Sequence, residues 1–160
     1  MTTPIIYFSS QSTTYPEFSN FWAAPICVEG QTFKNAEEAF QGIKALTFHD
    51  HEAFTKIQKS KSPASAKSYG RKVKGFQESV WSAMKLDLMR NIVLAKFSQN
   101  PLLKEKLLAT GDAVLAEATR DAFWGIGAGR KGALEGNQSV WGQNHLGTIL
   151  MEVRAELASA

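Results

Sequence analysis

The chain reads as an α+β protein, mainly helical, with a few short strands toward its N-terminus. Three observations point there. Helical hydrophobic spacing recurs through residues 35–109 and returns after 144. Helix-start signals sit at Asn35, at Ser62-Pro63 and at Asn144. The β-branched and aromatic runs are short, at Ile5–Phe8, Ile26–Val28 and Gln31–Phe33.

Ile5–Phe8 is predicted as a strand ahead of the polar S-S-Q-S-T-T stretch. Phe18-Ser19-Asn20-Phe21-Trp22 alternates aromatic with small polar groups, and the three aromatic side chains read as core. Ile26–Val28, a turn at Glu29-Gly30 and Gln31–Phe33 predict a hairpin that leads into a helix capped by Asn35. Cys27 has no partner cysteine, so no internal disulfide is expected, and it reads as a small buried apolar residue. Further helices are predicted over 50–58, 63–70, 77–97 and 102–109. In the longest, Val80, Met84, Leu88 and Ala95, with Trp81 and Ile92 beside them, form the apolar face. Val114–Ala116 reads as one more strand, and Leu146, Ile149, Leu150, Val153 and Leu157 mark the inner face of a final helix. No linker or repeat appears, so residues 1–160 are expected to form a single domain.

Of 160 residues, 44% are hydrophobic and 21% charged, ordinary values for a globular chain. No run of 18 apolar residues occurs, and the start M-T-T-P-I-I-Y-F lacks a basic and apolar leader, so no membrane span and a cytoplasmic location are expected. Net charge is +3, unevenly spread. Lys56, Lys59, Lys61, Lys67, Arg71, Lys72 and Lys74 fall in a stretch without one acidic residue, which leaves 11 of the 18 basic residues against 15 acidic ones elsewhere. Such a stretch either solvates a helix face or meets an anionic ligand. His49 and His51 lie two apart with no third ligand, so no metal site is expected.

The helix opening N-A-E-E-A-F-Q-G-I-K, residues 35–44, carries the most chemistry. At about 100° per residue, Ala36, Ala39, Phe40 and Ile43 gather on a core face. Glu37, Gln41 and Lys44 fall within roughly 60° of one another along its edge, and Glu38 points away. Glu37 and Lys44 start about 10 Å apart along the axis, too far for a simple stabilising pair and wide enough to admit a ligand. Later, Asp121-Ala-Phe-Trp124-Gly125 leads into a glycine-rich loop. Trp124 has a face that would stack on a base. Asn144 is read as the cap of the last helix, where free N–H groups favour phosphate, with Gly147 leaving room for it.

Five stretches in order, F-S-N-F (18–21), A-E-E-A-F-Q-G-I-K (36–44), S-P-A-S-A-K-S-Y-G-R (62–71), D-A-F-W-G (121–125) and N-H-L-G-T-I-L-M-E-V-R (144–154), resemble the NADAR family, also called YbiA-like proteins. The resemblance spans nearly the whole chain. It implies a small, mostly helical α+β domain with N-glycosidase activity on ribose-linked nitrogen and no cofactor. The implied substrates are ADP-ribose on the guanine amino group of DNA or nucleotide, with a DarT-like toxin as functional partner, or phosphoribosylated intermediates of riboflavin synthesis. A non-catalytic ADP-ribose-binding module is the rival reading. Matching motif positions assigns Glu37 to acid–base work, Lys44 to nucleophilic or electrostatic work, and Asp121 to ribose hydroxyls or the attacking water. The same matching assigns Ser19, Asn20, Phe21, Gln41, Arg71, Trp124, Gly125, Asn144 and Gly147 to substrate binding. The chain departs from many relatives at Glu38, where they carry His, and at Trp141-Gly142-Gln143, where they approach the final Asn through a Gly-Lys-like step.

Overall fold

In a computed structural model, which describes residues 2–160, the order is β1 (Ile5–Phe8), β2 (Ala23–Val28), β3 (Gln31–Asn35), α1 (Ala36–Thr47), α2 (His51–Gln58), α3 (Pro63–Gly70), α4 (Glu78–Gln99), α5 (Pro101–Leu108), β4 (Val114–Glu117) and α6 (His145–Ala158). This is the α+β, mainly helical class expected. Two compact units divide it: residues 2–19 with Pro101–Ala160, and Asn20–Asn100. No linker composition marks the division, because one boundary falls inside F-S-N-F and the other at Asn100-Pro101. None of the described helices is long and apolar enough to cross a membrane.

In the Asn20–Asn100 unit, β2 and β3 pair antiparallel. Glu29 (φ 51°) and Gly30 (φ 75°) make the left-handed two-residue turn that suits the twist of such a hairpin. The strand buries Ala24, Ile26 and Val28 and turns the alternate residues out. Cys27 is therefore exposed, contrary to the buried reading, because strand parity decides and its neighbours are the better hydrophobes. Asn35 caps α1 by accepting from the Glu38 amide at 2.8 Å. The Glu38 carboxylate reaches one residue past the cap, taking the Lys34 amide at 3.3 Å and the Lys34 ammonium at 3.0 Å. Ala36, Ala39, Phe40 and Ile43 are buried as the periodicity requires. In α4, however, Val80 is exposed, and the buried stripe runs through Trp81, Leu88, Ile92 and Lys96 with Met89, Val93 and Phe97 beside it. Trp81, Leu88 and Ile92 of the expected face are thus buried, while Val80, at its edge, is not. Trp22 also lies outside the core, 40% exposed, whereas Phe18 is fully buried and Phe21 partly so.

In the other unit β1 lies parallel to β4, with Ile5 opposite Val114 and Phe8 opposite Glu117. The long segment between β4 and α6 is held by a ladder of backbone bonds. Ile126 and Ala128 donate to Glu117 and Thr119, and Gly142, Gln143 and Asn144 donate to Ile126, Ala122 and Gly125, all at 2.7–2.9 Å. Ile126 and Ala133 pack with Ala116 beneath Tyr7, Val140 and Trp141, so the glycine-rich loop has a small core of its own.

Candidate active site

The Asn20–Asn100 unit gathers the reactive groups on α1. Glu37 opens the helix, and its amide donates to the Asn20 carbonyl at 3.0 Å. Its side chain is 8% exposed, yet Oε1 receives a hydrogen bond from Gln41 Nε2 at 2.8 Å. The two side chains meet because they stand four residues apart on one helix. Asn20 is buried too. Its amide nitrogen points at the Met89 sulfur, 3.5 Å away, and its side-chain oxygen is buried with no hydrogen-bond partner. Lys44, further along the same row, places Nζ 4.9 Å from the ring centre of Phe76 and 5.7 Å from that of Trp81. Phe40 and Phe48 pack against those rings, at 4.9 Å from Trp81 and 5.3 Å from Phe76. The amine thus stands in a largely aromatic recess, with no hydrogen bond or ion pair to its Nζ among the described residues.

Charge and burial act in opposite directions here, and burial wins for both groups. Desolvation pushes the Glu37 carboxyl above its ordinary 4.5, against the Gln41 hydrogen bond and the positive charges of Lys67, Lys44 and Arg71. Desolvation likewise lowers the Lys44 ammonium from its ordinary 10.5, helped by Arg71 and Lys85 and opposed by Glu37 and Glu78. A carboxyl inclined to keep its proton and an amine inclined to lose one are what a general acid and an amine nucleophile need. The sequence placed Lys67 only in the basic stretch and gave Phe76 and Trp81 no role at the site. Trp81 carried only a core signal, and no local pattern marks Phe76 as a neighbour of Lys44.

The basic stretch is partly gathered into a cleft of about 270 Å³ lined by Asp50, Glu52, Ala53, Lys56, Tyr69, Lys72 and Lys74. Its two acids are already engaged. Glu52 pairs with Lys56 at 3.3 Å, and Asp50 accepts from the amides of Ala53 and Lys74, at 3.0 and 2.9 Å. A larger groove of about 630 Å³ beside the hairpin is lined by Ala23, Pro25, Phe33, Lys34 and Glu38 among others, and by none of the assigned residues.

The remaining assigned residues lie in the other unit. Ser19 is buried there. Asp121 Oδ1 accepts from the amides of Phe123 and Trp124, both at 2.8 Å, which folds the turn and leaves Oδ2 as the oxygen open to a hydroxyl. Trp124 stands edge-on to Phe123, with centroids 4.8 Å apart. Gly125 is needed for space, since a Cβ would lie 2.5 Å from Thr119 Oγ1 and 2.8 Å from the Glu117 carbonyl.

Two expectations need correcting. Asn144 adopts a left-handed backbone (φ 50°) and makes no side-chain cap to α6. Its amide clamps β4 instead, donating to the Leu115 carbonyl at 2.9 Å and accepting from the Glu117 amide at 3.1 Å. Gly147 does not leave room for phosphate, because a Cβ there would sit 2.1 Å from the Leu115 carbonyl and 2.4 Å from Asn144 Nδ2. Both residues join α6 to β4. Gly147→Ala should accordingly destabilise the protein by about 2–3 kcal/mol, although alanine is the better helix former. Urea unfolding of the two proteins checks this, and an equal or higher midpoint for the variant would contradict the packing account.

Comparison with known proteins settles the family. The pattern of the NADAR domain matches residues 7–158. The chain belongs to the NADAR family. N-glycosidase YbiA of Escherichia coli strain K12 is 39% identical over 155 residues, covering 96% of this chain and 89% of that one. The NMR structure of the E. coli protein YbiA superposes with a TM-score of 0.80 over 99% of this chain and 88% of that one. Riboflavin biosynthesis protein VVA0006 of Vibrio vulnificus is 35% identical over 153 residues, 95% of this chain but 38% of that longer protein. As a NADAR member the chain is an enzyme, a hydrolase acting on N-glycosyl bonds.

Proposed function

We propose that the substrate of this N-glycosidase is ADP-ribose joined to the amino group of guanine, in nucleic acid or nucleotide, and that Glu37 and Lys44 carry the reaction. The observation behind this reading is the buried Glu37 carboxyl on the same helix row as an aromatic-lined amine, with Lys67 and Arg71 close enough for their charge to be felt at the carboxyl. Two such cations suit a diphosphate.

Cleavage needs a proton for the departing nitrogen and a group that takes over C1 of the ribose. In its ring-opened form, the glycoside of an exocyclic amine is an imine. Neutral Lys44 adds to C1, Glu37 supplies the proton with which guanine leaves as its free amine, and C1 stays attached to Lys44 as an imine. Water then adds, the C1–N bond to Lys44 breaks, and the sugar departs as the aldehyde with the lysine restored. The aldehyde then closes to the ribose ring with its own hydroxyl, without any further reactant.

A second reading, phosphoribosylated intermediates of riboflavin synthesis, is favoured by the name of the V. vulnificus relative. A reader without catalysis would have no use for a buried carboxyl and a desolvated amine set along one row of α1. Chromatography of ADP-ribosylated guanosine and of a phosphoribosylated aminopyrimidine, each incubated with the protein, tests the choice. Faster release of guanosine and ADP-ribose supports the proposal. Cleavage of the pyrimidine compound alone, or binding without release, would overturn it.

A further inference from the structure

α1 and α3 meet where Gln41 faces Gly70. A Cβ built on Gly70 would lie 1.8 Å from Gln41 Oε1, 2.4 Å from its Cδ and 3.0 Å from its Cγ. Gly70 is not among the residues with positive φ, so its backbone is one that any residue adopts. As the last residue of α3 it costs helix stability relative to alanine. Space is therefore the only requirement this glycine meets. The Gln41 amide fills that space: its oxygen is buried without a hydrogen-bond partner, and its nitrogen is bonded to Glu37. With Glu37 ionised, turning the amide over would set its oxygen against the carboxylate, so the bond from Nε2 favours the charged form of Glu37.

We propose that Gly70 is a positioning residue for the reaction: by presenting no side chain, α3 lets the Gln41 amide lie against it with Nε2 aimed at Glu37, and this fixes the carboxyl that supplies the proton. The inference rests on the role given to Glu37 above. Other charges facing the carboxyl are Lys44 on its own helix, Lys67 on α3 and Arg71 just beyond it. The nearest atoms that a methyl group on Gly70 would meet all belong to Gln41. The Gln41 bond is therefore the first interaction to give way, because the crowded atoms are the end of its flexible side chain.

The test follows the Glu37 carboxyl by carbon NMR across a pH titration of the full chain, together with turnover against pH. The wild type is compared with Gly70→Ala, Gln41→Ala and the double variant. Gly70→Ala should raise the Glu37 midpoint by about one pH unit, the worth of one hydrogen bond to a carboxylate, and move the matching limb of the rate profile with it. Gln41→Ala should do the same, and adding Gly70→Ala to it should change neither quantity. A midpoint unmoved in Gly70→Ala, or a further shift in the double variant, would overturn the proposal. Should Gly70→Ala not fold, the double variant decides alone, since the crowding atoms are gone: it must match Gln41→Ala. If neither glycoside is turned over, the proposed function fails, whereas the NMR midpoints still decide whether Gly70 positions the carboxyl.

Discussion

Glu37→Gln lowers turnover by about 10²–10⁴-fold, the range for losing a general acid, and leaves ADP-ribose binding within a few-fold of the wild type. The amide keeps the size of the carboxyl and still accepts from Gln41 Nε2, so what is lost is the proton. The same variant is expected to be more stable at neutral pH. Burial raises the folded-state value of Glu37 above 4.5, so the folded protein holds this proton more tightly than the unfolded chain. That contribution is fully present below the ordinary carboxylate value and is lost as pH rises through the raised folded one. The gain in Tm for Glu37→Gln should therefore vanish near about pH 4 and be largest at neutrality and above. Near-normal turnover in the variant, or a Tm difference that runs the other way with pH, would remove the assignment.

Lys44→Arg abolishes turnover as fully as Lys44→Met. Arginine keeps the positive charge and its contact with Phe76 and Trp81 but does not deprotonate, so it holds a phosphate and forms no imine. Substantial activity in Lys44→Arg would show that the amine acts through charge alone. The pH dependence has a defined sign. Attack needs Lys44 without its proton and Glu37 with one. Burial lowers the first group and raises the second, which brings the two values closer and enlarges the fraction of enzyme in the reactive form. Rate should rise as pH climbs through the lower macroscopic step of the pair and fall beyond the higher one.

The parts of this protein that were legible in its sequence are those fixed by residues close together in the chain. Asn35 caps α1, Pro63 opens α3 and Glu29-Gly30 turns the hairpin, because each acts on a backbone group within a few residues. The row of Glu37, Gln41 and Lys44 followed from helix geometry in the same way. What stayed hidden depends on distant partners. Asn144 looks like a helix cap until β4 supplies a carbonyl and an amide for it. Gly147 reads as room for a ligand and Gly70 merely as a helix end, and both prove to be places where another part of the chain lies against the backbone. Val80 and Trp81 differ by one step of α4, and only packing in the unit decides which of them turns inward. Cys27 was misread for a similar reason, since parity along β2 outweighs the average burial of cysteine.

In the proposed reaction the Lys44 amine takes the sugar from its nitrogen with Glu37 as proton donor. Borohydride added during turnover of ADP-ribosylated guanosine, followed by peptide mass mapping, traps the Lys44 imine if it forms. A reduced adduct with the mass of ADP-ribose is expected on Lys44, present in the wild type and missing in Lys44→Arg. Rapid turnover with Lys44 unmodified would contradict it.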